Sequence, residues 1–428
     1  MKTRPDNKKR ASKAPIFYGW WNVLACFIGL SLSYAMFTVF AFGTFVGPLE
    51  TEFGWQRGPM SLALTIANIA VVIASPLMGS IVDRLGVRKV MMVSLILMGL
   101  CVGSMSRLSG DIGYYYLMHL LIPLLGAGTL PLTYSRVIIA WFAKKRGLAL
   151  GISLAGFGVG ATLIPPLAQF IIEHWGWREA YLVFAGLILF VSLPLSIFLL
   201  RESPSEMGLN VDGDTFESSL AEDPSVQIDI NDGLSAAEAV RTRSYWLVFW
   251  SFLLVGVGIT SVLAHLVPML IGRGVAPATA ALCMSSLGAG LILGRILAGY
   301  LMDHFFAPHV AAIFLLGLLA GIAILATGAS GPIVFLAAIL VGLATGSEIS
   351  EIAYIVSRYF GQKAFGLVYG TMFAAFQIGS AAGAYAMGRY YDLVGNYLNA
   401  LWLGGVLVAI GIVLMLMLKG YPQREPQI

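Results

Sequence analysis

The sequence predicts an all-α membrane protein in which twelve membrane-spanning helices form two six-helix bundles. Its 428 residues are 58% hydrophobic and 11% charged, and their mean hydropathy is +0.84. Soluble domains are roughly one quarter charged, so this composition excludes a soluble fold. Twelve apolar runs are each long enough to cross a membrane, and one hydrophilic segment divides them six and six.

The twelve runs satisfy the length criterion for a transmembrane helix, which is about 20 mainly apolar residues for a hydrocarbon core of about 30 Å. We number them as spans 1 to 12 in chain order. The predicted bounds are 18–47, 57–82, 88–108, 112–140, 146–173, 178–200, 244–271, 277–303, 308–327, 331–357, 363–391 and 396–419. Spans 1 to 6 form a predicted amino-terminal bundle, 18–200, and spans 7 to 12 a carboxy-terminal bundle, 244–419.

Lysine and arginine predict the orientation. Nineteen of them fall in segments on the same side as the amino terminus, and five fall on the other side. The positive-inside rule therefore predicts that both termini, 1–17 and 420–428, are cytoplasmic tails of a multi-pass protein, which we expect in a bacterial inner membrane. A full-length span follows the basic first segment, with no small-residue cleavage site, so a signal peptide is not predicted.

The hydrophilic segment 201–243 contains ten acidic residues and no basic residue between Arg201 and Arg241. Its acidic, serine- and glycine-containing centre predicts a solvated linker. Its end, GLSAAEAVRTRSYW, predicts a short helix along the inner membrane interface.

The two halves repeat each other. The stretch around Asp83, MGSIVDRLGVRK, corresponds to AGYLMDHFFAPH around Asp303, at an offset of 303 − 83 = 220. The stretch around Phe142 corresponds to that around Phe360, at an offset of 218. Parallel six-helix repeats joined by a hydrophilic loop are typical of transporters that bind substrate between the halves near mid-membrane.

The segment GSIVDRLGVRK, Gly79–Lys89, resembles the loop between the second and third helices of the major facilitator superfamily, G-x-L-x-D-R-x-G-R-[RK]. The resemblance implies a loop that gates between inward- and outward-facing states. Glycine at 79 permits close helix packing, and an aspartate at a helix end can pair with a basic residue and cap a helix. The alternative is that the charged residues only set topology. The candidate gating residues are Asp83, Arg84, Arg88, Asp303 and, near the inner end of span 4, Arg136.

A narrower resemblance covers most of the chain. It is carried by YGWWNVL at Tyr18, SYAMFT at Ser33, WFAKKRGLALGISLAGFGVG at Trp141, ESPSEMGLNVDG at Glu202 and the single arginine of span 8. Together these resemble the monocarboxylate transporter family and its bacterial relatives, which include oxalate/formate exchangers. The resemblance implies transport of a small organic anion, often with a proton, and an arginine of the eighth helix that holds the carboxylate.

Arg295 is the arginine in question. A charge near the bilayer centre costs about 2.5 to 3.5 kcal/mol on insertion scales, and such residues usually face a cavity or a partner. A guanidinium offers two parallel N–H donors that match a carboxylate, which favours substrate binding. A permanent interhelical ion pair and snorkelling to the interface are the alternatives.

Two glutamates of span 10, Glu348 and Glu351, lie three residues apart and so on nearby faces of one helix. Two buried carboxylates are costly if both are charged and unpaired. One is therefore a candidate proton carrier, and the alternative is that one neutralises Arg295.

Three positions depart from the family pattern. Thr38 stands where animal members have a lysine, and Leu291 stands where they have an aspartate. Either a span 10 glutamate replaces these proton acceptors, or the protein is not a proton symporter. Phe376, with Gln377 beside it, stands where the oxalate exchangers have a second lysine, so the resemblance implies a monoanion.

Other features add candidates and exclusions. Tyr34 and Thr38 are candidate hydrogen-bond donors in the cavity, and His265 of span 7 is a candidate substrate contact or pH sensor, or else a packed histidine. The glycines of span 5 predict helix packing. The three cysteines lie in apolar runs, which argues against a disulfide framework or a metal site. The net charge of +4 is explained by membrane orientation rather than by nucleic-acid binding.

The predicted function is therefore secondary transport of a small organic anion, with a proton as a candidate second substrate and no cofactor. Catalytic function is not predicted, because no catalytic constellation or phosphate-binding loop is present in the sequence. An exchanger or exporter of another metabolite or a hydrophobic compound, and a non-transporting anion sensor that signals through 201–243, remain alternatives. The sequence leaves the oligomeric state open.

Overall fold

The structure is a computed structural model that describes residues 17–55, 57–213 and 233–422. Most of the predicted amino-terminal tail, the centre of the predicted linker and the last residues, 423–428, lie outside the described residues. Within the described part, twelve helices are long and apolar enough to cross a membrane, as predicted.

The α-helices of the first half are Gly19–Ser31, Phe42–Phe53, Arg57–Leu85, Val87–Ser104, Ile112–Leu125, Pro131–Trp141, Arg146–His174, Trp177–Leu187 and Leu193–Leu199. Those of the second half are Ala236–Arg241, Arg243–Gly272, Pro277–His304, Ala307–Ala326, Ile333–Tyr359, Phe365–Val394 and Leu398–Leu416. Two π-helical segments, Met36–Phe40 and Ile188–Ser192, and a 3₁₀ turn, Gly126–Thr129, interrupt spans 1, 6 and 4.

Span 1 is not the continuous helix that the apolar run predicts. Its α-helix ends at Ser31, and the chain resumes as a π-helix at Met36. The Ser31 hydroxyl donates to Phe27 O of its own helix at 2.9 Å and to Gly156 O of span 5 at 2.8 Å, and such back-bonding bends helices. The break places Tyr34 where its backbone N–H donates to Thr129 Oγ1 of span 4 at 3.4 Å.

Span 4 is also broken, and its sequence explains the break. Pro123 removes a helical donor one turn before the 3₁₀ turn, and Pro131 starts the next helix at a position where its missing N–H is not needed. Leu130 between them is extended. The second part of span 4, Pro131–Trp141, is therefore a separate helix from the first part, and nearly all of its residues are buried. It carries Tyr134, Ser135 and Arg136.

Glycines set the closest helix contacts inside each half. A side chain at Gly156 or Gly160 of span 5 would collide with the span 1 carbonyls of Phe27 and Ser31. These two glycines therefore serve helix packing, as the sequence predicts. Spans 8 and 10 make a similar glycine seam, because a side chain at Gly346 would collide with the backbone of Leu291.

The described ends of the linker pack on one face of the protein, which we call the linker face. Asp212 accepts hydrogen bonds from the backbone N–H groups of Ala143 and Lys144, before span 5, at 3.1 and 2.9 Å. On the other half, Leu234 N donates to Phe360 O at 2.9 Å, before span 11. The predicted short helix is present as Ala236–Arg241, with a capping box at its start.

Candidate functional site

Arg295 is buried where span 8 meets span 5. Its side chain is only 2% exposed, and Nη1 donates to the backbone carbonyl of Leu154 in the opposite half. The guanidinium carbon lies 5.1 Å from the centroid of the Phe157 ring, a cation–π distance. Nε has no hydrogen-bond partner. The arginine is thus held by uncharged groups, with donor capacity left over.

The glycine seam fixes which residues of span 10 face this arginine. Leu287 contacts Gly342 and Leu291 contacts Gly346, so the two parallel helices are in register at an offset of 55 residues, 342 − 287 and 346 − 291. The same offset sets Arg295 level with 350, between Glu348 and Glu351. The two glutamates are therefore positioned by backbone packing at the depth of the arginine.

Neither glutamate forms an ion pair with Arg295 within the described part of the chain. Both are about 1% exposed, and Oε1 of each has no hydrogen-bond partner. Glu348 lies within electrostatic range of both Arg295 and Glu351. The permanent short ion pair that the sequence left open is therefore not formed in this state.

Hydroxyl groups of spans 4 and 11 complete the buried polar cluster. Tyr369 lies within electrostatic range of Arg295 and Glu348, and its hydroxyl is close to that of Ser135 across the two halves. The hydroxyl oxygens of Tyr369 and Ser135 both have no partner in hydrogen-bond geometry. Buried polar groups are nearly always hydrogen-bonded, so a cluster of unpaired ones is costly unless water or a polar ligand satisfies it.

Tyr34 and Thr38, the other predicted cavity residues, are buried in the interrupted part of span 1. Thr38 uses its hydroxyl to donate to Tyr34 O at 3.0 Å, within its own helix. Its donor is therefore already engaged in this state.

The first predicted gate residue, Asp83, connects the two halves at the linker face. Its Oδ1 lies 2.6 Å from Nη1 of Arg136. The same carboxylate accepts backbone hydrogen bonds from Gly366 and Leu367, both at 3.1 Å, at the start of span 11. Arg136 also donates to Gln362 O at 3.0 Å. A carboxylate at a helix amino terminus is favoured by the helix dipole and by the unsatisfied N–H groups there.

Asp303 makes the symmetry-related connection. It accepts hydrogen bonds from the backbone N–H groups of Gly147 at 2.6 Å and Leu148 at 2.9 Å, at the start of span 5. The two aspartates are 220 residues apart in the sequence, and the residues that donate to them are 219 apart. Each half therefore caps a helix of the other. At the same offset of 219, the position that corresponds to Arg136 is Ile355, so Asp303 is held by backbone donors, and Arg146 and His304 lie only within electrostatic range.

Glycine pairs bring the same helices into backbone contact. A side chain at Gly79 of span 2 would collide with the carbonyl of Gly366 in span 11, and one at Gly147 of span 5 would collide with that of Gly299 in span 8. One turn deeper, a side chain at Gly151 would meet the carbonyl of Arg295. The halves are therefore closed against each other from the linker face to the depth of Arg295.

Comparison with known proteins decides the family. A family model described as Major Facilitator Superfamily matches residues 26–347 and 266–428. This chain belongs to the major facilitator superfamily. The resemblance to this superfamily and the predicted twelve-helix fold are thus confirmed.

The narrower resemblance is also confirmed, at low identity. Monocarboxylate transporter 13 from Bos taurus is 24% identical over 425 residues, covering 96% of this chain and 92% of the relative. Monocarboxylate transporter 11 from Mus musculus is 26% identical over 416 residues, covering 94% and 78%. An uncharacterized transporter of the superfamily, YcxA from Bacillus subtilis, is 25% identical over 400 residues, covering 88% and 90%.

Solved structures support the fold. The proton:xylose symporter XylE has a TM-score of 0.72 at 16% identity, covering 93% of this chain and 95% of its own. The human organic anion transporter MFSD10 has a TM-score of 0.69 at 17% identity, covering 93% and 99%. The family match, the curated relatives and the twelve spans together show a multi-pass membrane transporter of this superfamily, and not an enzyme.

Three predicted site residues of this transporter lie away from the cluster. His265 shares a hydrogen bond of 3.0 Å with Ala384 O, and Ala384 is 15 residues, or roughly 22 Å, along span 11 from Tyr369. Arg88 donates to Ile197 O at 2.7 Å inside the first half, and Arg84 is exposed. The structure therefore brings neither arginine into the contact between the halves.

Sequence reasoning missed Ser135 and Tyr369. Their signal was weak, since hydroxyl residues in apolar helices often only pack or bond their own backbone. The run TYSR in span 4 was the available indication, because it sets three hydroxyl residues beside a candidate gate arginine.

Proposed function

We propose that this transporter carries small organic anions, with monocarboxylates as the favoured class, and that Arg295 binds the substrate carboxylate. The observation that carries the proposal is a buried guanidinium with an unpaired Nε and, among the described residues, no carboxylate in ion-pair contact. A charge this deep needs a counter-charge for part of the transport cycle, and a carboxylate matches its donors. The monocarboxylate transporters among its relatives add support.

Transport occurs by alternating access. The capping contacts of Asp83 and Asp303 and the glycine pairs hold the linker face closed. If the linker face is cytoplasmic, as the lysine and arginine distribution predicts, this state is closed to the cytoplasm. Separation of the halves at these contacts opens the inner side.

Substrate binding is coupled to this movement through Arg295 itself. Its Nη1 is bound to Leu154 O across the interface between the halves. A carboxylate bound through the free Nε draws the guanidinium toward itself and weakens the Nη1 hydrogen bond to that carbonyl, so binding loosens the contact between spans 5 and 8. The preference of substrate for one arrangement then shifts the balance between the two states.

Glu348 or Glu351 supplies charge compensation or a proton. Both are buried at the depth of Arg295, where a charged carboxylate without a partner is costly. Replacement of each by glutamine separates the two roles. Loss of pH-gradient stimulation with retained exchange marks the proton carrier, and loss of both marks a residue needed for binding.

Uptake of labelled monocarboxylates, dicarboxylates and neutral amide analogues into proteoliposomes, with and without an inward-acid gradient, tests the proposal. We expect uptake of monocarboxylates only, and its loss in Arg295→Ala. Ser192→Ala is the matched control, because Ser192 also has a buried unpaired hydroxyl but lies on span 6. Transport of amides as fast as acids, or no carboxylate transport under any gradient, would reject the proposal.

A further inference from the structure

A crevice on the lateral surface of the first half, between its helices, suggests a second binding site. It lies between spans 2, 3 and 4, has a volume of about 440 Å³ and is separate from the Arg295 cluster. Its lining includes Leu77 of span 2 and Val93 of span 3, each 56% exposed, and Leu124 of span 4. Its walls are almost entirely hydrocarbon.

The break in span 4 creates this crevice. Gly126 and Gly128 of the 3₁₀ turn press against span 3, where a side chain at Gly126 would collide with Met98. Gly128 N also donates to Ser94 Oγ at 3.2 Å. Span 4 therefore leans on span 3 at this depth and leaves a gap beside span 2.

The length of the crevice matches one leaflet of a bilayer. On span 2 its lining runs from Leu85, at the linker face, to Ala74, which is 11 residues or roughly 16 Å deeper. Half of a hydrocarbon core is about 15 Å. A single acyl chain that enters at the headgroup level would thus be covered down to mid-membrane.

The end of the crevice at the linker face is basic. Lys89 forms part of its lining and is exposed, and Arg84 is exposed on the last turn of span 2. The two neighbouring carboxylates have partners of their own, since Asp83 pairs with Arg136 and Glu202 caps the start of span 3 by accepting from the backbone N–H of residue 88 at 2.9 Å. A headgroup at this position meets positive charge.

We propose that this crevice binds one anionic phospholipid of the surrounding bilayer, with an acyl chain between spans 2, 3 and 4 and the phosphate at Lys89. The crevice supplies the apolar area, and the lysine supplies the preference for negative headgroups. The proposal does not depend on the substrate of the transporter.

Native mass spectrometry of the full-length protein, titrated with phosphatidylglycerol or phosphatidylcholine, tests it. We expect one tightly bound phosphatidylglycerol and weaker phosphatidylcholine binding. Val93→Trp fills the crevice and should abolish the tight site, whereas Ile313→Trp, at a 63% exposed position on span 9, should not. Lys89→Gln should weaken phosphatidylglycerol binding about fivefold, the effect of one lysine at an anionic surface.

Two further variants complete the test. Lys89→Arg keeps the charge and should keep the binding, and Lys419→Gln removes an exposed lysine outside the crevice and should change nothing. Equal binding of the two lipids by the wild type, or wild-type binding in either Val93→Trp or Lys89→Gln, would overturn the proposal. Because Lys89 is exposed, its replacement tests the site even if the tryptophan variant folds poorly.

Discussion

Replacement of Gly79 by alanine is expected to open the linker face. The added methyl group would overlap the carbonyl of Gly366 in the opposite half, and backbone cannot rotate away as a side chain can. Overpacking of this kind costs about 1 to 3 kcal/mol. The cost falls only on the state in which the halves touch, so the ratio of open to closed molecules should rise roughly 5- to 150-fold.

Gly156→Ala is the matched control for this prediction. Its methyl group would overlap the carbonyl of Phe27 equally closely, but both residues belong to the first half. That contact does not depend on how the halves are arranged. The control should therefore lower the melting temperature without changing the population of open molecules.

Spin labels on the linker face measure this population. Lys145→Cys in the first half and Lys419→Cys in the second are exposed positions, and Cys101→Ser removes the native cysteine that is not fully buried. Double electron–electron resonance should show a longer distance in Gly79→Ala and an unchanged one in Gly156→Ala. An unchanged distribution in both, or an equal shift in both, would refute the assignment of Gly79 to the contact between the halves.

Two further predictions concern charged residues. Asp83→Asn and Asp303→Asn should each open the linker face in the same label experiment, because each weakens charge-assisted hydrogen bonds between the halves, which contribute about 1.5 to 3 kcal/mol. Asp83→Asn should also lower the melting temperature more, because it leaves Arg136 of the same half without its charged partner. Hydrogen bonds from Arg178 and Trp177 lower the pKa of Glu52 below its ordinary 4.5. The stabilisation is thus complete above pH 4.5 and is lost as the pH falls through the lowered pKa. Glu52→Gln should therefore lower the free energy of unfolding at pH 7 by less than about 1 kcal/mol, because the pair is so exposed, and the melting temperature should fall slightly. The difference from wild type should vanish in acid. A difference in melting temperature that stays constant with pH would contradict this explanation.

The contacts of Asp83 and Asp303 show what the sequence repeat between the two halves can and cannot predict. Two copies of one motif were enough to assign Asp83 and Asp303 the same role at the same face. Their acceptor function at spans 11 and 5 was not predictable, because a carboxylate that caps a distant helix leaves no local pattern. The arginine partner of Asp83 was named only as a candidate, since its side chain could equally reach the interface.

The buried cluster was predicted in its charges and missed in its neutral groups. Arg295, Glu348 and Glu351 stand out because charge is rare in apolar runs. The partner of the arginine in this state is a backbone carbonyl, Leu154 O, and every residue carries one, so no sequence pattern could identify it. Tyr369 was missed because a tyrosine in an apolar run is common, and only the three-dimensional structure shows that Arg295, Glu348 and Ser135 lie near it.

The central claim is that Arg295 binds the substrate carboxylate, and equilibrium binding tests it most directly. Scintillation proximity with the best labelled monocarboxylate should show binding to wild type and Ser192→Ala. Loss of one partner of a buried charged pair costs about 2 to 5 kcal/mol, so Arg295→Ala should weaken binding at least roughly thirtyfold, and Arg295→Lys, without the paired donors, should restore only part of it. Binding within threefold of wild type in Arg295→Ala would contradict the account.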